Sequence, residues 1–189
     1  MKPGPLIILS GPSGSGKSTV LDQVMKTTSL PLRLSVSATT RDPRPGEKDG
    51  VHYYFWTPEQ FEREVKAGQF IEWAEVHGQR YGTLRREVEP ARQNGIGVIL
   101  DIDVQGARAV KQQIPEAVLV FMRTSAFETY ERRLRLRATE DEARIQQRLA
   151  TARKELACAG EYDCEVINDD LNVAVEKFHA ILQPLFERN

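Results

Sequence analysis

The stretch "LSGPSGSGKST" at residues 9–19 sets Gly11, Gly16, Lys17 and Ser18 at the spacing G-x-x-x-x-G-K-[ST]. An apolar run precedes it, and "VLDQVM", a helix-forming run, follows. Residue types in that order suit the holding of nucleotide phosphates. Backbone N–H groups surround several anionic oxygens only where side chains do not intervene, a demand that Gly11, Gly14 and Gly16 meet. The helix opening near Gly16 adds its positive dipole end. Lys17 brings a mobile charge to the β and γ oxygens of ATP or GTP, and the Ser18 hydroxyl is placed to ligate Mg²⁺. With Pro12, Ser13, Ser15 and Thr19, these residues form the expected ATP- or GTP-binding loop. A partner carboxylate is expected at the end of a neighbouring strand, and "GVILDID" supplies Asp101 and Asp103. Asp101 suits a metal ion reached through water, although such a pair can also simply cap the next helix. If the strand persists, both carboxylates point to one side.

Arginines indicate where the terminal phosphate goes. The N-K-x-D element of a GTPase switch is absent, "VINDD" at 166–170 lacking the lysine, and so is the H-R-D of a protein kinase. Arg41 and Arg44 sit in "TTRDPRPG", a loop stiffened by two prolines. Arg133 and Arg137 are four apart on one helix, and Arg144 and Arg148 repeat that spacing on the next. A helical arginine pair alone reads as a solvated face. Several separate sets favour a loop clamping an acceptor's phosphate while a mobile helical set closes over the transferring group. An arginine supplied on closure is worth roughly 10³–10⁵ in rate. An acceptor that is itself a phosphate, with a second pKa of about 6, needs no general base.

The elements that must position these groups follow from pattern. Short apolar runs alternate with amphipathic stretches, predicting a parallel sheet with crossover helices. Core strands are expected at 5–10, 32–36, 97–102, 117–122 and 164–168. Thr57-Pro58-Glu59-Gln60 predicts a capped helix start, as do Ser125 with Glu128 and Thr139 with Glu142, giving helices over about 126–137 and 140–159. Between the second and third core strands lies turn-rich sequence and then a hairpin-like alternation, read as an insertion with its own small antiparallel sheet. The fold class is therefore α/β: a P-loop core with a parallel sheet flanked by helices, a small mixed or antiparallel insertion, and a helical lid. One domain is expected over 1–189, with core at about 1–36, 93–125 and 160–189, insertion at 37–92 and lid at 126–159.

Bulk properties narrow the setting. Apolar residues make up 40% of the 189-residue chain and charged ones 28%, with net charge −1, so neither nucleic acid nor an anionic membrane is called for. The longest apolar run, "AVLVFM", is too short to span a bilayer. The N-terminus runs straight into the loop and is read as a core strand, with no signal peptide. Cys158 and Cys164 lack C-x-x-C spacing and His52, His77 and His179 are scattered, which predicts a reducing cytoplasm without a disulfide or protein-bound transition metal.

"GPSGSGKST", "SVSATTRDPRPGE", "FIEWAEVHGQRYGT", "ILDIDVQGA", "RRLRLRATEDEARIQQRL" and "VINDD" stand in the order and spacing of guanylate kinases, and the resemblance covers essentially the whole chain. It implies ATP + GMP ⇌ ADP + GDP with Mg²⁺ as cofactor, dGMP as a further acceptor, and closure of insertion and lid around the substrates. By matching position, Ser37, Arg41, Arg44, Tyr53, Glu72, Tyr81, Thr83 and Asp103 resemble the GMP site. Guanine presents adjacent N1–H and N2–H₂ donors, which a carboxylate such as Glu72 accepts, whereas adenine presents an acceptor at N1. Arg133, Arg137 and Arg148 resemble the lid arginines, joining Lys17 and Arg41 as the expected catalytic set, and Asn168 resembles a residue near the donor adenine.

This chain departs from the pattern at Leu136 and Ala138, where the lid commonly has glycines; their loss is expected to stiffen or move the hinge. Arg80 and Ala38 also differ, without touching the matched contacts. The competing readings are a catalytically inactive guanylate-kinase-like interaction module and a kinase for a phosphorylated sugar. The first typically lacks the loop or the arginines, and the second has no need of Glu72. A homo-oligomer is left open.

Overall fold

A computed structural model gives the fold and describes residues 2–76, 78–136 and 142–187. In chain order come β1 (Leu6–Ser10), α1 (Lys17–Thr27), β2 (Leu32–Leu34), β3 (Ala38–Thr39), β4 (Tyr54–Phe55) and α2 (Pro58–Lys66). There follow β5 (Phe70–Val76), β6 (Gln79–Leu84), α3 (Arg85–Gln93), β7 (Gly97–Asp101), α4 (Val104–Gln113) and β8 (Val118–Arg123). The chain ends with α5 (Glu128–Leu136), α6 (Glu142–Leu156), a 3-10 turn at Ala159–Glu161, β9 (Cys164–Ile167) and α7 (Leu171–Glu187).

The five expected core strands form one parallel sheet ordered β2-β7-β1-β8-β9. Alternate residues serve opposite faces. Ile7, Leu9, Ile99, Val120 and Met122 pack with Val20 and Val24 of α1 and Phe178 and Leu182 of α7. Leu6, Ile8, Val98, Leu100 and Leu119 pack with Val88 and Ala91 of α3 and Ala107 and Val110 of α4. Burial on both faces is why these strands read as unbroken apolar runs. Because β1 is central, with Leu9 opposite Asp101 of β7, the loop after β1 leaves the carboxyl edge at the point where the strand order reverses. Ligands of open α/β sheets bind in that crevice.

Strand β7 ends at Asp101, so the strand does not persist to Asp103. The chain turns there and Asp103 caps α4, its carboxylate accepting from the Gly106 N–H at 2.8 Å. Thr57 caps α2 as predicted, accepting from the Gln60 N–H, with Pro58 in the first turn. Ser125 instead donates its backbone N–H to Asp169, and α5 starts at Glu128. The Thr139 cap lies outside the described residues.

The insertion sheet runs β4-β3-β6-β5 and is mixed rather than wholly antiparallel, since β3 and β4 are parallel. Its core stacks Phe61 on Phe70 at 4.6 Å, with Ala38 and Leu84 beside them. A register shift between Phe70 and Glu72 breaks the alternation of β5: Ile71 joins the core beneath the parallel sheet, and Glu72 faces Thr83 of β6. Helices α5 and α6 pack through Tyr130, Leu134, Ile145 and Leu149. Among the described residues no helix is long and apolar enough to cross a membrane.

Candidate functional site

The loop between β1 and α1 is shaped by its glycines. Gly14 and Gly16 hold φ near 90°, in the left-handed region. A Cβ on Gly11 would lie 2.0 Å from the Met122 carbonyl oxygen, so only glycine lets the loop cross β8 there. The turn closes through Ser15 N–H to Pro12 O at 3.0 Å. The Lys17 ammonium reaches back to Gly11 O at 2.5 Å and stands 4.0 Å from Asp101. Enclosure raises the Asp101 pKa, and the Lys17 charge works against that shift.

From this loop a cavity of about 270 Å³ opens toward the insertion. Its wall brings together most of the residues singled out by motif or by resemblance: Gly11 to Gly14, Gly16 to Thr19, Ser37, Arg41, Arg44, Tyr53, Glu72, Tyr81, Asp101, Asp103 and Arg148. Glu72 is 6% exposed and accepts from the Thr83 hydroxyl at 2.6 Å. Burial pushes its pKa up to about 7; the Thr83 hydroxyl opposes the shift and the Asp103 charge adds to it. Gly106 leaves the room this carboxylate needs, since a Cβ there would stand 2.7 Å from its Oε2.

Arg41 is fixed rather than mobile. Its Nη1 and Nη2 donate to the two Glu47 oxygens at 2.6 and 2.7 Å, and its guanidinium lies over the Tyr53 ring at 4.8 Å. Glu47 also accepts from the Arg44 N–H at 2.7 Å, and its pKa falls to about 2, chiefly through the Arg41 hydrogen bonds. Tyr53 is pushed up to about 12, mainly by burial, so its hydroxyl stays a proton donor. Tyr53 meets Tyr81 edge-on at 6.0 Å.

Arg133 and Asn168 do not line this cavity. They stand on another side of the loop, where a second hollow of about 350 Å³ is lined by Gly14, Gly16, Thr19, Arg133, Leu136, Asn168, Asp169 and Leu171. Arg148 approaches the Ser13 hydroxyl at 3.4 Å. Arg137 lies outside the described residues. Sequence reasoning missed three residues. Glu47, which braces Arg41, sits six residues on in the same loop and was legible as a partner for the fork. Thr151 and Glu155 of α6 join Arg148 on the cavity wall at helical spacing. Burial raises the Glu155 pKa, with Lys17 opposing and Asp103 adding.

An anion-holding loop at the sheet's switch point, opening into a cavity lined with fixed cations, defines a nucleotide-binding α/β phosphotransferase. The guanylate kinase family model matches residues 4–185. A guanylate kinase of Rubrobacter xylanophilus is 48% identical over 183 residues, spanning 97% of this chain and 95% of its own. One of Desulfitobacterium hafniense is 47% identical over 180 residues, spanning 95% and 89%. The crystal structure of guanylate kinase from Anaplasma phagocytophilum superposes with a TM-score of 0.82 at 32% identity, covering 97% of this chain and 86% of that one. The chain belongs to the guanylate kinase family, and its activity is that of a nucleoside monophosphate kinase. No observation supports the inactive interaction module.

Proposed function

We propose that the chain transfers the γ-phosphoryl group of ATP to GMP, with Mg²⁺, giving ADP and GDP in the cytoplasm, and accepts dGMP as well. The observation that carries this reading is the single cavity joining the Lys17–Asp101 end of the loop to the buried Glu72–Thr83 pair. Glu72 accepts the guanine N1–H and N2–H₂ donors, with Asp103 beside it, while the Ser37 hydroxyl donates to O6 and the Thr83 hydroxyl, already donating to Glu72, orients that carboxylate. Adenine at this position leaves buried groups unpaired, which supports discrimination of about 10⁴–10⁵. Between base and loop, Arg41, Arg44, Tyr53 and Tyr81 clamp the acceptor phosphate; the Glu47 brace fixes the Arg41 fork before substrate arrives.

The loop residues and Lys17 hold the donor phosphates, and Arg148 approaches from α6. Ser18 and Asp101 offer hard oxygen donors beside the loop, a set that fits Mg²⁺, which keeps several waters and is shared with substrate phosphates. Held there, Mg²⁺ would supply charge neutralisation for the transferring phosphates. The acceptor arrives as a phosphate anion, so the chain's part is to orient it, supply positive charge and exclude water. We assign residues 37–92 to the body that carries GMP and 126–159 to the lid.

ADP release with Mg-ATP and a panel of GMP, dGMP, AMP, CMP, UMP, a phosphorylated sugar and water tests the reading. Fast turnover is expected only with GMP and dGMP. Equal turnover with AMP would overturn the role given to Glu72.

A further inference from the structure

The Arg133 guanidinium is committed to backbone. Its Nη1 donates to the carbonyl oxygens of Gly14 and Ser15, each at 3.2 Å, and its Nη2 to Asn168 O at 3.0 Å. The Asn168 side chain converges on the same spot, Nδ2 donating to Ser15 O at 2.7 Å. Two donors from elements more than a hundred residues away thus hold one loop carbonyl. Asn168 is 5% exposed, and a Cβ on Gly16 would fall 2.2 Å from its Nδ2. Gly16 is therefore glycine for two reasons, its φ of 89° and the amide pressed against its Cα.

A trans peptide carries its N–H opposite its C=O. With the Ser15 carbonyl held by Arg133 and Asn168, the Gly16 N–H faces away from both. The Gly14–Ser15 peptide is fixed at both ends, its carbonyl by Arg133 and its N–H by Pro12 O at 3.0 Å. A cationic donor on a carbonyl also polarises that peptide, making its N–H a stronger donor to an anion.

We infer that Arg133, with Asn168, is a positioning residue of the phosphate loop: it holds the Gly14 and Ser15 carbonyls so that the Gly16 amide faces the nucleotide's phosphates, and acts on them through the peptide rather than by contact. The inference rests on reading the loop as the site of the ATP phosphates. It separates Arg133 from Arg148, which reaches the loop from α6 and lines the cavity itself.

Calorimetric binding of ADP, tripolyphosphate, AMP and GMP to the wild type, Arg133→Met, Arg133→Lys and Asn168→Ala tests it, with KM for ATP and kcat measured in parallel. In Arg133→Met the Kd of ADP and of tripolyphosphate is expected to rise about 10–100-fold, as for loss of charge-assisted hydrogen bonds. AMP and GMP affinities stay within about twofold, KM for ATP rises with kcat largely kept, and Arg133→Lys recovers part of the loss. Asn168→Ala is expected to weaken polyphosphate binding in the same selective way, and it carries the test should Arg133→Met not fold. Unchanged ADP affinity with a kcat lower by about a thousandfold would make Arg133 a contact of the transferring group and overturn the inference. Loss of AMP affinity in step with ADP would make it a contact of the base, with the same consequence. Failure of the wild type to bind tripolyphosphate would overturn the loop reading itself, and the inference with it.

Discussion

On the role proposed for Glu72, one buried carboxyl couples recognition to pH. Its pKa of about 7 against an ordinary 4.5 reflects burial first, and the groups facing it are Thr83 and Asp103. In the unfolded chain it ionises near 4.5, whereas in the native chain it keeps its proton to about 7. Native stability from this group is therefore full below 4.5 and lost as pH rises through 7, a change on the order of 3 kcal/mol. Glu72→Gln, which cannot ionise and can still accept from Thr83, should melt several degrees higher than wild type at pH 8 and at much the same temperature at pH 4.5. Its GMP affinity should change the opposite way, falling by about 10²-fold or more, because an amide cannot offer two acceptors to guanine's adjacent donors. In the wild type, kcat/KM for GMP should climb from pH 6 to 8 as the carboxylate forms, and Glu72→Gln should lose that climb. Thermal melts and initial rates across this range check both signs. The matched motif marks Glu72 in sequence, but its proton is invisible there, since burial depends on a bulge at Phe70–Glu72 that no alternation pattern announces.

Elements differ in how far pattern alone exposes them. The parallel sheet is legible because strands covered on both faces must be apolar throughout, and α2 because Thr57, Pro58 and Gln60 meet local capping rules. Asp103 is harder: the same carboxylate caps α4 and lines the cavity, so the capping and substrate-side readings coexist in one residue. The hold of Arg133 on the loop leaves no trace in spacing, and the helical spacing of Glu155 from Arg148 does not by itself mark a cavity wall. "TARKEL" reads as a solvated helix face, and contacts between a side chain and a carbonyl over a hundred residues away follow only from tertiary packing. The end of α5 carries its own prediction. Arg133 ties α5 to the loop, Tyr130 is fully buried, and Leu136, one turn on, is 75% exposed. On the lid assignment proposed above, the hinge is bounded on the core side by Arg133, and Leu136 occupies a position where glycine would add backbone freedom; Ala138 lies outside the described residues. Leu136→Gly/Ala138→Gly should speed lid motion and change the dependence of kcat on solvent viscosity while leaving the chemical step in place. Equal turnover and viscosity dependence would show that the hinge does not lie there.

At the scale of the molecule, one cavity is walled by all three bodies: the loop and Asp101 from the core, Arg41, Tyr53 and Glu72 from the insertion, and Arg148, Thr151 and Glu155 from α6. The cations Lys17, Arg41, Arg44 and Arg148 share that wall with Glu72, Asp101, Asp103 and Glu155. Positive and negative charges therefore face a common cleft, and phosphates bound at either end redraw that balance for the other. Helix α6 spans the cleft, since Arg148 reaches Ser13 of the loop while Thr151 and Glu155 line the same cavity, with the Asp103 charge acting on Glu155. A ligand that settles α6 at one end therefore prepares the other, and the coupling is reciprocal by linkage. On the proposed reading, ADP and GMP together occupy both ends without reacting. ADP should lower the Kd of GMP by about 5–150-fold, the range of ordinary coupling energies, and GMP should lower that of ADP by the same factor. Titrations of each nucleotide with and without the other measure both factors. Unchanged affinities in both directions would mean that α6 does not couple the two ends of the cleft, and the closure proposed for the lid would then have to be driven by the ATP γ-phosphate alone.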